Sequence, residues 1–201
     1  MIRFLFLYLL LASGNSGAPQ TIGDYFRIFS HRPDYVSPDS VSEHQHFTID
    51  DKNAYLYVAY DDPDYGYEYG GELQFTYFLT QSKQKIFGYS SFFDGPSSVS
   101  AHVDFYTYNG SEWKRVTASV LPSIELKDFT NDKALSDRIG SNYRVRFSLP
   151  QQGTDVHLKA YPVGENDALY AYDQYTADIA SLHEVVLQWN RVEGLFKVKL
   201  H

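Results

Sequence analysis

From residue 46 onward the chain alternates. Leu73, Phe75, Tyr77 and Leu79 are interleaved with Gln74 and Thr76, and Tyr143, Val145, Phe147 and Leu149 with Arg144, Arg146 and Ser148. Val156, Leu158 and Ala160 alternate with His157 and Lys159, and Phe196, Val198 and Leu200 with Lys197 and Lys199. Successive side chains of a strand point to opposite faces, so a period of two predicts antiparallel strands that are dry on one side and wet on the other. Further strands are expected over 46–50, 54–60, 85–93, 102–108, 112–117 and 184–190.

Short polar stretches separate these runs: Asp50-Asp51-Lys52-Asn53, Gln81-Ser82-Lys83-Gln84, Gln151-Gln152-Gly153-Thr154 and Arg191-Val192-Glu193-Gly194. Asn109-Gly110 is the strongest hairpin signal, because both residues tolerate positive φ. The fold class that follows is mainly β, an antiparallel meander of about ten short strands forming one sheet or a strongly curled one. Residues 118–142 interrupt the alternation, and Asn131 to Ile139 could form a helical turn or two.

The N-terminal part has a different period. Thr21-Ile22-Gly23-Asp24 fits a capping box, and Ile22, Tyr25, Phe26 and Phe29 fall at i, i+3, i+4 and i+7. This spacing predicts a short amphipathic helix over about 22–30, stopped near His31-Arg32-Pro33 and packed on the sheet. Residues 33–45 are polar with two prolines and read as a linker.

Ahead of the helix, Met1-Ile2-Arg3 gives a positive start, Phe4 to Ala12 is an unbroken apolar run, and small residues follow to Ala18. That layout is expected of a secretory signal peptide over 1–18, cut after Gly14 or Ala18. The run has about half the length of a bilayer span, so a retained transmembrane helix is the weaker reading. A buried strand is the other alternative. The expected organisation is a leader over 1–18, helix and linker over 19–45 and a β domain over 46–201. The mature protein is expected to be soluble, periplasmic or secreted, and not inserted in a membrane.

The leader, the helix at Thr21–Phe26, and the segments Asn53-Ala54-Tyr55-Leu56 and Ile86-Phe87-Gly88-Tyr89 occur in a fixed order. Phe105-Tyr106-Thr107-Tyr108-Asn109-Gly110-Ser111-Glu112-Trp113, Val120-Leu121-Pro122 and a late strand at Trp189 follow. In this order the chain resembles a loose group of uncharacterised exported β-rich proteins of Gram-negative bacteria. The resemblance implies a compartment and an architecture and transfers no activity or site.

Composition narrows the chemistry. The 201 residues include no cysteine, which removes disulfide scaffolds, thiolate metal sites and thiol nucleophiles. A net charge of −8 gives no support to nucleic-acid binding. No Gly-x-Ser-x-Gly, Ser-x-x-Lys, His-Glu-x-x-His or phosphate-binding glycine loop is present, so no catalytic residue and no cofactor is expected.

The most unusual segment is Asp61-Asp62-Pro63-Asp64-Tyr65-Gly66-Tyr67-Glu68-Tyr69-Gly70-Gly71. Asp61, Asp62, Asp64 and Glu68 could weakly hold calcium, although the spacing fails the EF-hand pattern; a solvated acidic loop is the plainer reading. Tyrosines present rigid amphipathic area at low entropic cost, so Tyr65, Tyr67 and Tyr69, flanked by Asp62 and Asp64, form the candidate binding set. Tyr55, Tyr57 and Tyr60 read as sheet-packing residues. His44 and His46 share a side of an extended segment but lack a third ligand, and His102 and His157 read as exposed or hydrogen-bonded. The functional expectation is a non-catalytic exported domain that recognises an envelope protein or a glycan through this segment. An exported hydrolase with an unidentified carboxylate pair and a structural envelope protein are the alternatives.

Overall fold

The computed structural model describes residues 19–32, 45–61, 70–94, 99–163 and 172–199, without the side chains of 45, 60, 61, 94 and 172–176. Among the described residues strand outweighs helix, about 47% to 20%, which places the chain in the mainly β class. The first helix, α1 (Ile22–Ser30), starts where the spacing predicts. Thr21 Oγ1 accepts from the Asp24 N–H at 3.1 Å and Asp24 Oδ2 accepts from the Thr21 N–H at 3.2 Å, which closes the capping box.

The ten described strands form two meanders. Sheet A runs in chain order through β1 (Gln45–Asp50), β2 (Tyr55–Asp61), β3 (Gly70–Leu79), β4 (Lys85–Asp94), β5 (Val99–Tyr108) and β6 (Trp113–Arg115). Sheet B runs through β7 (Tyr143–Ser148), β8 (Asp155–Pro162), β9 (Val185–Asn190) and β10 (Leu195–Val198). All neighbouring pairs are antiparallel. The meander divides at the segment that breaks the alternation, which holds α2 (Thr117–Val120), a 3-10 turn (Leu126–Asp128) and α3 (Lys133–Ile139). Gly110 takes φ 101°, as the β5–β6 hairpin requires.

A further helix, α4 (Tyr172–Ser181), lies between β8 and β9, where the sequence pattern predicts none. Its buried Asp178 accepts from Arg138 of α3, with Nη2–Oδ1 at 2.5 Å. This long-range ion pair ties the helix to the body.

Two apolar clusters flank sheet A. On its outer face Ile22, Phe26 and Phe29 of α1 pack against Leu56, Val58, Leu73, Phe75, Phe87, Tyr89 and Tyr106. The Phe29 ring lies 5.1–5.3 Å from those of Phe75, Tyr89, Tyr106 and Trp113, and three of these rings are tilted or edge-on to others in the group. On the inner face Phe78, Ile86 and Phe105 meet Phe147, Leu158, Leu187, Trp189 and Phe196 from sheet B.

Sheet B stands with its β7 edge laid on sheet A. An uncovered edge strand leaves backbone groups unpaired. Here side chains from sheet A complete the β7 edge: Ser90 Oγ donates to the Phe147 carbonyl at 2.7 Å, and the Leu149 N–H donates to Gln74 Oε1 at 2.5 Å. Gly88 allows this approach, because a Cβ there would stand 3.0 Å from the Phe105 ring and 3.4 Å from Leu149 Cδ1. The expectation of one wetted face therefore fails for β3 and β4. Glu72, Gln74, Thr76 and Ser90 form the polar set and all are buried. It holds for β8, where His157 and Lys159 are exposed.

Candidate functional site

Four strand ends line up at one end of sheet A. Asp61 pairs with Gly70, Gly70 with Asp94, and Asp94 with Val99. Val99 and Phe92 pack with Val163, which follows β8, and with the partly buried Ala101 and Tyr161. Residues 62–69, with the candidates Asp62, Asp64, Tyr65, Tyr67 and Tyr69 and the calcium candidate Glu68, leave from and return to this end. They lie outside the described residues, as do the leader and His44.

Directly below this end, a buried carboxylate joins the two sheets. Register places Tyr55, Tyr57 and Ala59 of β2 opposite Thr76, Gln74 and Glu72 of β3. Arg146 reaches over the β7 edge and grips Glu72 with both arms, Nε–Oε1 at 2.6 Å and Nη2–Oε2 at 2.5 Å. Gln74 Nε2 donates to Glu72 Oε1 at 3.2 Å and the Tyr57 hydroxyl to Oε2 at 3.4 Å. Bidentate pairing of this kind is strong and directional. The guanidinium also lies 5.2 Å from the centre of the Phe92 ring.

Burial alone would lower the pKa of Arg146, but its bonds to Glu72 and Tyr161 outweigh that and hold it above the ordinary arginine value. Burial, then the nearby charge of Glu72, pushes the Tyr55 hydroxyl well above its usual range, so it stays a neutral phenol. Tyr55 and Tyr57 thus serve the sheet interior, as their strand positions predict.

A second polar cluster lies on the outer face of sheet A, around Asp104 of β5. Its Oδ2 meets His102 Nε2 at 2.9 Å and the Tyr106 hydroxyl at 3.1 Å, and its Oδ1 meets Arg115 Nε at 2.5 Å and Thr117 Oγ1 at 2.7 Å. Burial works to raise the Asp104 pKa, but the hydrogen bonds from His102 and Thr117 and the charge of His102 outweigh it and hold the pKa below the usual value. His157 is paired in a plainer way, with Nδ1 2.9 Å from Glu184 Oε2.

The sequence pattern does not single out Glu72, Arg146 or Asp104. Each occupies a polar slot of an alternating strand; only packing reveals the partners of Glu72 and Arg146, whereas Asp104 also meets His102 and Tyr106 of its own strand. Among the described residues, no group of three or more His, Asp or Glu could hold a metal. No described helix is long and apolar enough to cross a membrane.

These features define the class as an antiparallel two-sheet β protein with a helix covering one face and a polar seam joining the sheets. No protein-family model and no curated protein matches the chain. In structure it is similar to a domain of an uncharacterized protein from Porphyromonas gingivalis W83, with a TM-score of 0.55, 13% identity and 98% of each chain covered. The likeness shows the fold over almost the whole length. It agrees with the sequence resemblance to the extent that this neighbour is itself uncharacterised and comes from a Gram-negative bacterium.

Proposed function

We propose that the chain is an exported, non-catalytic binding domain that recognises an envelope protein or a glycan through the Tyr-rich acidic segment 62–69. The observation that carries this reading is the alignment of Asp61, Gly70, Asp94 and Val99 at one end of sheet A, above the Glu72–Arg146 clamp. Recognition residues are typically borne by loops on a rigid scaffold. Here the strands that carry the segment are fixed from below by a two-armed ion pair. The buried carboxylates Glu72, Asp104 and Asp178 are each held by a cation, an arrangement suited to scaffolding rather than proton transfer. Export rests on the leader pattern Phe4 to Ala12.

The test is affinity capture from envelope extract, beside immobilised envelope polysaccharide, with the native chain and a Tyr65→Ser/Tyr67→Ser/Tyr69→Ser variant. The native chain is expected to retain a discrete partner, and the variant to lose it at least roughly tenfold with an unchanged melt. Equal recovery by both chains, or recovery by neither, would overturn the reading.

A further inference from the structure

A bare sheet edge invites another strand, and proteins blunt such edges with short strands, lysines, prolines or a covering element. Three of the four edges described here are treated in this way. β7 lies on sheet A, with its carbonyl at Phe147 taken by Ser90. β6 has only three residues, two of them Lys114 and Arg115. β10 has four, with Lys197 inside it and Lys199 just after.

β1 is the exception. Gln45–Asp50 pairs with β2 along its whole length without a bulge and contains no Lys, Arg, Pro or Gly. Among the described residues no strand pairs with its outer edge. It also exposes two large apolar side chains, Phe47 at 47% and Ile49 at 50%. Both lie on the α1-bearing face, because Phe47 is opposite Val58 and Ile49 opposite Leu56.

We propose that β1 is a self-association edge, through which two copies of this chain join by antiparallel β1–β1 pairing about a two-fold axis at Thr48. The strand is complementary to itself in that register. Phe47 falls opposite the partner's Ile49, and Ile49 opposite the partner's Phe47, on the α1 face. On the other face His46 falls opposite the partner's Asp50, whose carboxylate stays with Asn53 and Gln151 of its own copy, so the apolar pairs alone set the register. A one-residue slip would turn the partner's apolar face over, so burial of Phe47 and Ile49 fixes the register. The two six-stranded sheets become one continuous sheet, and the strand ends that carry segment 62–69 point to its opposite ends. An interface of this length belongs to the small, concentration-dependent class.

Because the chain contains no cysteine, a single introduced thiol reads the register directly. Directly opposed antiparallel residues have Cα atoms about 4.5–5.5 Å apart, within the range a disulfide spans. Under mild oxidation Thr48→Cys is expected to give a covalent dimer, whereas Val192→Cys, in the exposed β9–β10 turn, stays monomeric. Sedimentation of the native chain is expected to show a reversible monomer–dimer equilibrium. Phe47→Lys/Ile49→Lys should weaken it by at least roughly tenfold with the circular dichroism melt retained. A native chain that stays monomeric at every concentration would overturn the proposal, even if it binds a strand of another protein. So would equal cross-linking of the two cysteine variants, or a dimer that survives the double lysine substitution.

Discussion

Glu72 and Asp104 are buried carboxylates on opposite faces of the same sheet, and they are satisfied in different ways. Glu72 faces the second sheet and depends on one side chain across the gap, that of Arg146, which is 33% exposed. Asp104 faces outward beneath a rim of polar groups, and His102, Tyr106, Arg115 and Thr117 share its two oxygens. A carboxylate with one dominant partner is lost as a unit when that partner is removed; one with four neighbours loses its bonds singly. Glu72 thus acts as a joint between sheets, and Asp104 as a local brace for the end of β5 and the start of α2.

The largest effect should come from breaking the joint on one side. Arg146→Met leaves Glu72 buried against Phe92 without its cation and should cost about 3 kcal/mol in urea unfolding, at the low end for a buried pair because the Arg146 side chain is partly exposed. Glu72→Met/Arg146→Met removes both charges and should recover most of that loss. If the double variant is as unstable as the single one, the joint depends on shape rather than on charge pairing.

Asp104→Asn should cost less, about 2 kcal/mol, because the amide keeps one acceptor while facing donors it cannot satisfy. The same residue sets a pH signature. Its folded pKa is lowered, so its contribution is complete above the ordinary carboxyl value of 3.8 and is lost as the pH falls through the lower folded value. Thermal melts below about pH 4 should therefore fall less steeply with acid for Asp104→Asn than for the native chain. The smallest effect is expected at His102, whose side chain is 51% exposed. His102→Ala should stay within about 0.5 kcal/mol of the native chain near neutral pH, since three other partners keep Asp104 occupied.

The same contrast shows what was legible in the chain. The strands Tyr143–Ser148 and Leu195–Val198, the Asn109-Gly110 hairpin and the Thr21 cap are local, written in alternation and turn chemistry, and the structure places them where the pattern does. The polar slots of β3 were misleading. Gln74 and Glu72 read as wet because alternation records polarity, not solvent, and only the arrival of β7 makes that face dry. α4 was hidden for a similar reason. Its segment, YDQYTADIAS, carries a thin apolar stripe, and what anchors it is Asp178 meeting Arg138 from forty residues earlier. The candidate Tyr65, Tyr67 and Tyr69 owe their selection to composition and turn residues alone, and the structure adds only the strand ends that carry them.

In the proposed function the clamp is the support and the Tyr-rich segment the contact surface. Partner capture by the native chain, by Glu72→Met/Arg146→Met and by Tyr65→Ser/Tyr67→Ser/Tyr69→Ser, each measured well below its own melting temperature, tests that division of roles most directly. Retained capture by the clamp variant and lost capture by the tyrosine variant is the predicted result. A folded clamp variant that loses its partner while the tyrosine variant keeps it would contradict the account and move the binding site to the seam between the sheets.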